Sequence, residues 1–141
     1  MFLKKYEDRL LEWKTFRETL EDSKMPYQDV LEFWQDAPIG NIAIDPYNQD
    51  LWPTPWQIIE ENIYCPFVKI LAICYTLQLT ERFSDGAAEI HIVHDKERSE
   101  SKTLLIFNQI CIGYNDSKVI LKTQLPKNLK VERQYRIPKV L

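Results

Sequence analysis

The sequence predicts an α+β domain, with helices first and an antiparallel meander of three to four strands after them, on three observations. Apolar residues recur at intervals of three and four in three stretches of the first 80 positions, 2–21, 27–34 and 55–80. Beyond Asp85-Gly86 the interval becomes two. The length, 141 residues, allows one core and no second of comparable size. Composition agrees: 45% hydrophobic and 28% charged, with four Trp, seven Tyr and six Phe against three Gly, which excludes a linker-rich, collagenous or disordered chain.

From Phe2 to about Glu21, Phe2, Leu3, Tyr6, Leu10, Trp13, Phe16 and Leu20 follow helical spacing with charges between them, which predicts an amphipathic helix. Ser23-Lys24-Met25-Pro26 breaks it, and Tyr27, Val30, Leu31 and Trp34 predict a second, shorter helix with Pro26 in its first turn. Residues 37–53, with Pro38, Gly40, Pro46 and Pro53, predict a long ordered loop whose Ile42 and Ile44 point inward. Thr54-Pro55-Trp56-Gln57 is a capping box: Thr caps, Pro takes the first helical position and Gln reaches back to the cap. Cys65-Pro66 opens another helix, in which Phe67, Ile70, Leu71, Cys74 and Leu77 recur at helical spacing. Lys69 is almost its only charge up to Thr80, so this helix is expected at the buried centre.

Ala88, Ile90 and Ile92 alternate with Glu89, His91 and Val93, which predicts a strand with one buried face. Asp95 to Ser101 reads as a solvated turn and residues 102–114 as one second strand. Asn115-Asp116 is a turn into a third strand, Lys118 to Thr123. Pro126 and Pro138 weaken any further strand, although Val131 to Ile137 can pair at an edge. The expected organisation is a single domain over residues 1–124 and a basic C-terminal arm over residues 125–141.

Charge is unevenly placed. Residues 1–121 hold 12 Lys/Arg and 20 Asp/Glu, whereas residues 122–141 hold six basic residues and Glu132 alone. Residues 25–68 carry seven carboxylates, eight aromatics and no basic residue. No apolar run approaches the roughly 20 residues of a membrane helix. Charge arrives too early after Met1 for a signal peptide, so a cytoplasmic protein that meets no membrane is expected. Three cysteines without a CxxC or HExxH pairing predict no disulfide framework, no metal and no cofactor.

Cys65 is the residue whose context carries chemistry. A thiol at a helix start meets unpaired backbone N–H groups and the positive end of the dipole, which favour thiolate. Its alternative reading is a buried small apolar residue, the reading given to Cys74 and Cys111.

The run Trp52-Pro53-Thr54-Pro55-Trp56-Gln57-Ile58-Ile59, followed by Asn62, Cys65, Phe67 and an apolar helix, resembles the nucleophile region of the transglutaminase-like, papain-related cysteine enzymes. The match spans roughly residues 51–116. The resemblance implies a thiol at the start of a central buried helix, and a following hairpin that brings first a His and then an Asp to it. Two departures are plain. The turn Asn62-Ile63-Tyr64-Cys65 lacks the family's glycines and Asp, and Ser101-Lys102-Thr103-Leu104-Leu105 stands where the His is expected. Asp116 matches the position of the Asp. His91 and His94, three apart and therefore on opposite faces of a strand, are the candidate displaced bases, the alternative being exposed strand residues. Asp45-Pro46-Tyr47-Asn48, leading into the same run, also resembles small proteins of tailed bacteriophages, which implies a virion-assembly or host-directed role in the host cytoplasm or the virion.

Lys127, Lys130, Arg133, Arg136 and Lys139 recur every third residue. In a polyproline-like segment they align in one row; in a flat strand they alternate faces. Such cations fit an acidic protein surface, or the chain's own acidic middle third, better than nucleic acid, because Tyr135 is the only aromatic among them. Two functions compete. One is a non-catalytic interaction or assembly protein that contacts its partner through Tyr47, Trp52, Trp56 and the basic row. The other is a cysteine hydrolase or acyltransferase using Cys65, with His91 or His94 as base and Asp116 as orienting carboxylate.

Overall fold

The structure, a computed structural model, describes residues 1–139. Helices α1 (Tyr6–Leu20), α2 (Pro26–Trp34), α3 (Pro55–Glu61) and α4 (Pro66–Gln78) precede strands β1 (Ala88–Asp95), β2 (Glu100–Phe107), β3 (Ile110–Ile112), β4 (Ile120–Leu121) and β5 (Leu129–Arg136). The strands form one antiparallel sheet in the order β4-β3-β2-β1-β5.

Local chemistry sets the helix ends. At α3 the capping box is complete: the Gln57 backbone N–H donates to Thr54 Oγ1 at 3.2 Å, and the Thr54 N–H donates to Gln57 Oε1 at 2.8 Å. Asn62 ends the helix in the left-handed region at φ 52°. The buried Arg9 of α1 then satisfies the last carbonyls of α3, donating to Ile59 O and Glu60 O, both at 3.0 Å. Thr54→Ala should lower stability by about 1 kcal/mol, read as a shift in the urea midpoint; an unmoved midpoint would show that this cap is not holding α3.

Helix α4 is the centre of the molecule. Ten of its thirteen residues are buried, between the other helices and one face of the sheet. Thr76, fully buried, ties three elements together. Its hydroxyl accepts the indole N–H of Trp13 at 3.0 Å and of Trp34 at 3.1 Å while donating to Ala72 O at 2.7 Å. Two large aromatics thereby enter the core with their polar atoms satisfied.

Register assigns the faces of the sheet. Ala88 opposes Phe107 and Ile90 opposes Leu105, and all four pack with the helices. The other face is not open as the alternating pattern of β1 predicts. Val93, Leu104, Ile106 and Cys111 form a second small core there, covered by Tyr114, Ile120, Leu125 and Leu129 from the segment that folds back beneath the sheet.

Two further readings change. The stretch expected as one strand over residues 102–114 is a hairpin, turned at Asn108 (φ 49°) and Gln109 (φ 72°), two successive residues in the left-handed region. The strand expected over Lys118 to Thr123 shrinks to Ile120–Leu121 before a short 3-10 turn. Residues 129–136, within the stretch set apart as a basic arm, pair with β1 along their whole length. Residues 140 and 141 lie outside the described residues.

Candidate functional site

A cleft of about 590 Å³ opens between the first turns of α4 and the start of β2. Positions 66, 69, 70 and 73 follow the helical repeat, so Pro66, Lys69, Ile70 and Ile73 present one stripe of α4 to it. Leu31 and Trp34 of α2 complete an apolar floor. Ser101, Lys102 and Thr103 of β2, with Asn115, Asp116 and Ser117, form the polar wall.

The wall depends on Gly113. At φ +110° this residue passes so close to β2 and α4 that an added Cβ would lie 2.7 Å from Thr103 O and 2.8 Å from Ile70 Cδ1. Beyond it, Asn115 Oδ1 accepts the backbone N–H groups of Ser117 and Lys118, a compact Asx turn. Side chains of α2 hold this loop in place. Gln28 Nε2 donates to Ser117 O at 2.8 Å and Gln35 Nε2 donates to Asp116 O at 3.1 Å. The two rim ammoniums also rest on backbone carbonyls: Lys69 donates to Gln35 O at 3.1 Å and Lys102 to Tyr114 O at 3.0 Å.

The residues singled out in the sequence are distributed as follows. Cys65 is the N-cap of α4, half-buried, and precedes Pro66 of the cleft; its thiol makes no hydrogen bond among the described residues. Asp116 is exposed on the cleft wall. His91 opposes Leu104, on the face away from α4, where it is buried and lies 3.2 Å from Glu89 Oε1. His94 opposes Ser101, and its Nδ1 lies 3.9 Å from Glu132 Oε1 of β5. Neither imidazole lines the cleft. The other thiols are poor nucleophiles, since burial raises Cys74 strongly and pushes Cys111 up to about 11.

The aromatic loop is partly built into the fold. Trp52 stands between Phe67 at 5.0 Å and Tyr135 at 4.9 Å, edge to face with both, bracing the loop against α4 and β5. Trp56 is 44% exposed with its ring edge on Trp13, and Tyr47 is exposed with its hydroxyl 3.4 Å from Glu132 and the Arg133 guanidinium over its ring. Of the cations, Lys139 is paired with Asp85, while Lys127, Lys130 and Arg136 join no ion pair among the described residues.

Sequence reasoning missed Lys69, Gln35 and Trp34 as site residues. Lys69 carried a signal, because the single charge in an otherwise apolar helix must face an opening. The contributions of α2 carried none, since they arise only when α2 docks on α4.

Helices stacked on one face of an antiparallel sheet, with a cysteine opening the buried central helix, are the arrangement that the sequence resemblance implied. One solved structure to which this chain is similar in fold is calcium-bound LapG of Legionella pneumophila, with a TM-score of 0.70 and 17% identity, covering 94% of this chain and 76% of LapG. No family model and no curated protein matches the sequence, so the likeness is one of fold. Among the described residues no group of three or more His, Cys, Asp or Glu is placed to hold a metal ion, and no helix is long and apolar enough to cross a membrane.

Proposed function

We propose that the chain is a protein-binding module that keeps a transglutaminase-like frame and works without thiol chemistry. The cleft between α4 and β2 takes a side chain of the partner. Its apolar floor suits an aliphatic or aromatic group, and the hydroxyls and amides of the wall suit the polypeptide on either side of it. The observation that carries the reading is the wall itself. Ser101, Lys102 and Thr103 occupy the start of β2, where the family resemblance expects an imidazole, and both histidines stand beside carboxylates elsewhere. A thiol without a base in reach has no general-base route to nucleophilic attack.

The competing reading, a hydrolase or acyltransferase, is favoured by one observation: Cys65 opens the central helix of this fold, and its sulfur makes no hydrogen bond among the described residues. Thiol alkylation separates the two. With Cys74 and Cys111 disfavoured as thiolates, label entering the folded protein reports Cys65. The binding reading expects slow labelling at about pH 6 and an unchanged fold in Cys65→Ser. Rapid labelling at that pH, lost in Cys65→Ser and in His94→Gln, would overturn it in favour of catalysis.

A further inference from the structure

The outermost strand, β5, offers eight residues of backbone whose far side has no backbone partner among the described residues. Two side-chain hydrogen bonds reach that backbone, Gln49 Nε2 donating to Arg136 O at 3.4 Å and the Arg133 guanidinium donating to Glu132 O at 3.0 Å, and Tyr47 and Trp52 of the neighbouring loop contact the β5 side chains Glu132, Arg133 and Tyr135. An unpaired strand edge of this length is a template for another strand unless its side chains forbid it.

The side chains here discriminate by charge. Lys130 opposes His94 and Arg133 opposes Ile92, two positions apart on β1, because the pairing slips by one residue between Ile92 and Val93. The slip makes Glu132 an extra residue and brings two cations three apart in sequence onto the same face. Arg136, opposite Glu89, lies on the other face, so an added strand meets positive charge above and below. Glu132, the single acid of the strand, is occupied by the Tyr47 hydroxyl and His94.

A second copy of this chain is a poor occupant, because two β5 edges side by side would set cation against cation. We propose that the outer edge of β5 docks an extended, acidic segment of a partner polypeptide, added to the sheet as one more strand. Backbone hydrogen bonds supply the pairing, and Lys130, Arg133 and Arg136 select carboxylates on the incoming strand. This site lies on the far side of β1 from the β2 wall of the cleft, so either site can bind without the other.

The probe is a synthetic peptide of about eight residues alternating Glu and Val, titrated into the full chain by calorimetry at low and high salt. Two partners differ from it by N-methylation of one or the other set of alternate amides, and a fourth carries Lys for Glu. Strand addition predicts binding that weakens with salt and is lost on N-methylation of one set only, with no binding of the Lys peptide. Changing Lys130, Arg133 and Arg136 together to Ser should weaken binding about tenfold, and a thermal melt should find that variant folded. If it does not fold, the methylated peptides alone decide. Absence of binding, equal tolerance of both methylated peptides, self-association of the chain, or tighter binding of single-stranded DNA than of the acidic peptide would each overturn the proposal.

Discussion

Thr76→Val should cost about 4 kcal/mol of stability. Valine nearly matches threonine in shape, so the cavity term is small and the loss is one of hydrogen bonding. Two indole N–H groups, of Trp13 and Trp34, lose their acceptor in a region both rings share with the fully buried Thr76. Each orphaned donor costs about 1–3 kcal/mol. Urea denaturation measures the sum as a fall in midpoint with the slope unchanged. Removing the donors as well, in a Trp13→Phe, Trp34→Phe background, should make the same Thr76→Val step nearly neutral, which is a coupling no independent-site picture yields. A loss below about 1 kcal/mol in the parent would mean that water reaches the indoles and that the hydroxyl is no hub.

Arg9→Met should cost about 3 kcal/mol, for a different reason. The guanidinium donates to three backbone carbonyls, those of Lys4, Ile59 and Glu60, and so joins the N-terminal segment to the end of α3. A cation at a helix C-terminus also meets the negative end of the dipole. Methionine retains the apolar stem and leaves the carbonyls without their donor, which isolates the polar contribution. Arg9→Lys should recover only part of it, because one ammonium cannot span carbonyls that a planar fork reaches together. Full recovery by lysine, in the same denaturation experiment, would show that charge rather than the fork holds the two helices.

Most of the helical half was legible in the sequence, because its signals are local. The capping box at Thr54 and the proline-led starts of α2 and α4 stand where their residues put them. The sheet was harder. Asn108-Gln109 lies inside an apolar run and lacks the glycine that usually marks a two-residue hairpin, so the turn between β2 and β3 left no clear trace. The spacing of three among the C-terminal cations matched a polyproline period; in the strand, one extra residue puts Lys130 and Arg133 on one face and leaves Arg136 on the other. For the cleft, the β2 positions and Asp116 followed from the family resemblance. Its floor was invisible because Trp34 and Ile70 are brought together by docking of α2 on α4, which no single stretch of sequence encodes.

The position of β5 bears on the order in which the molecule is made. β1 ends at Asp95 and its second neighbour in the sheet begins only at Leu129, so during synthesis β1 and β2 exist before the strand that completes them. In that interval β1, mostly buried on both faces in the finished molecule, is itself an open margin of apolar residues, the kind of surface on which nascent chains stick to one another. Arrival of β5 exchanges that margin for one bearing Lys130, Arg133 and Arg136. A chain ending at residue 128 should therefore aggregate, and restoring the remaining residues should cure it.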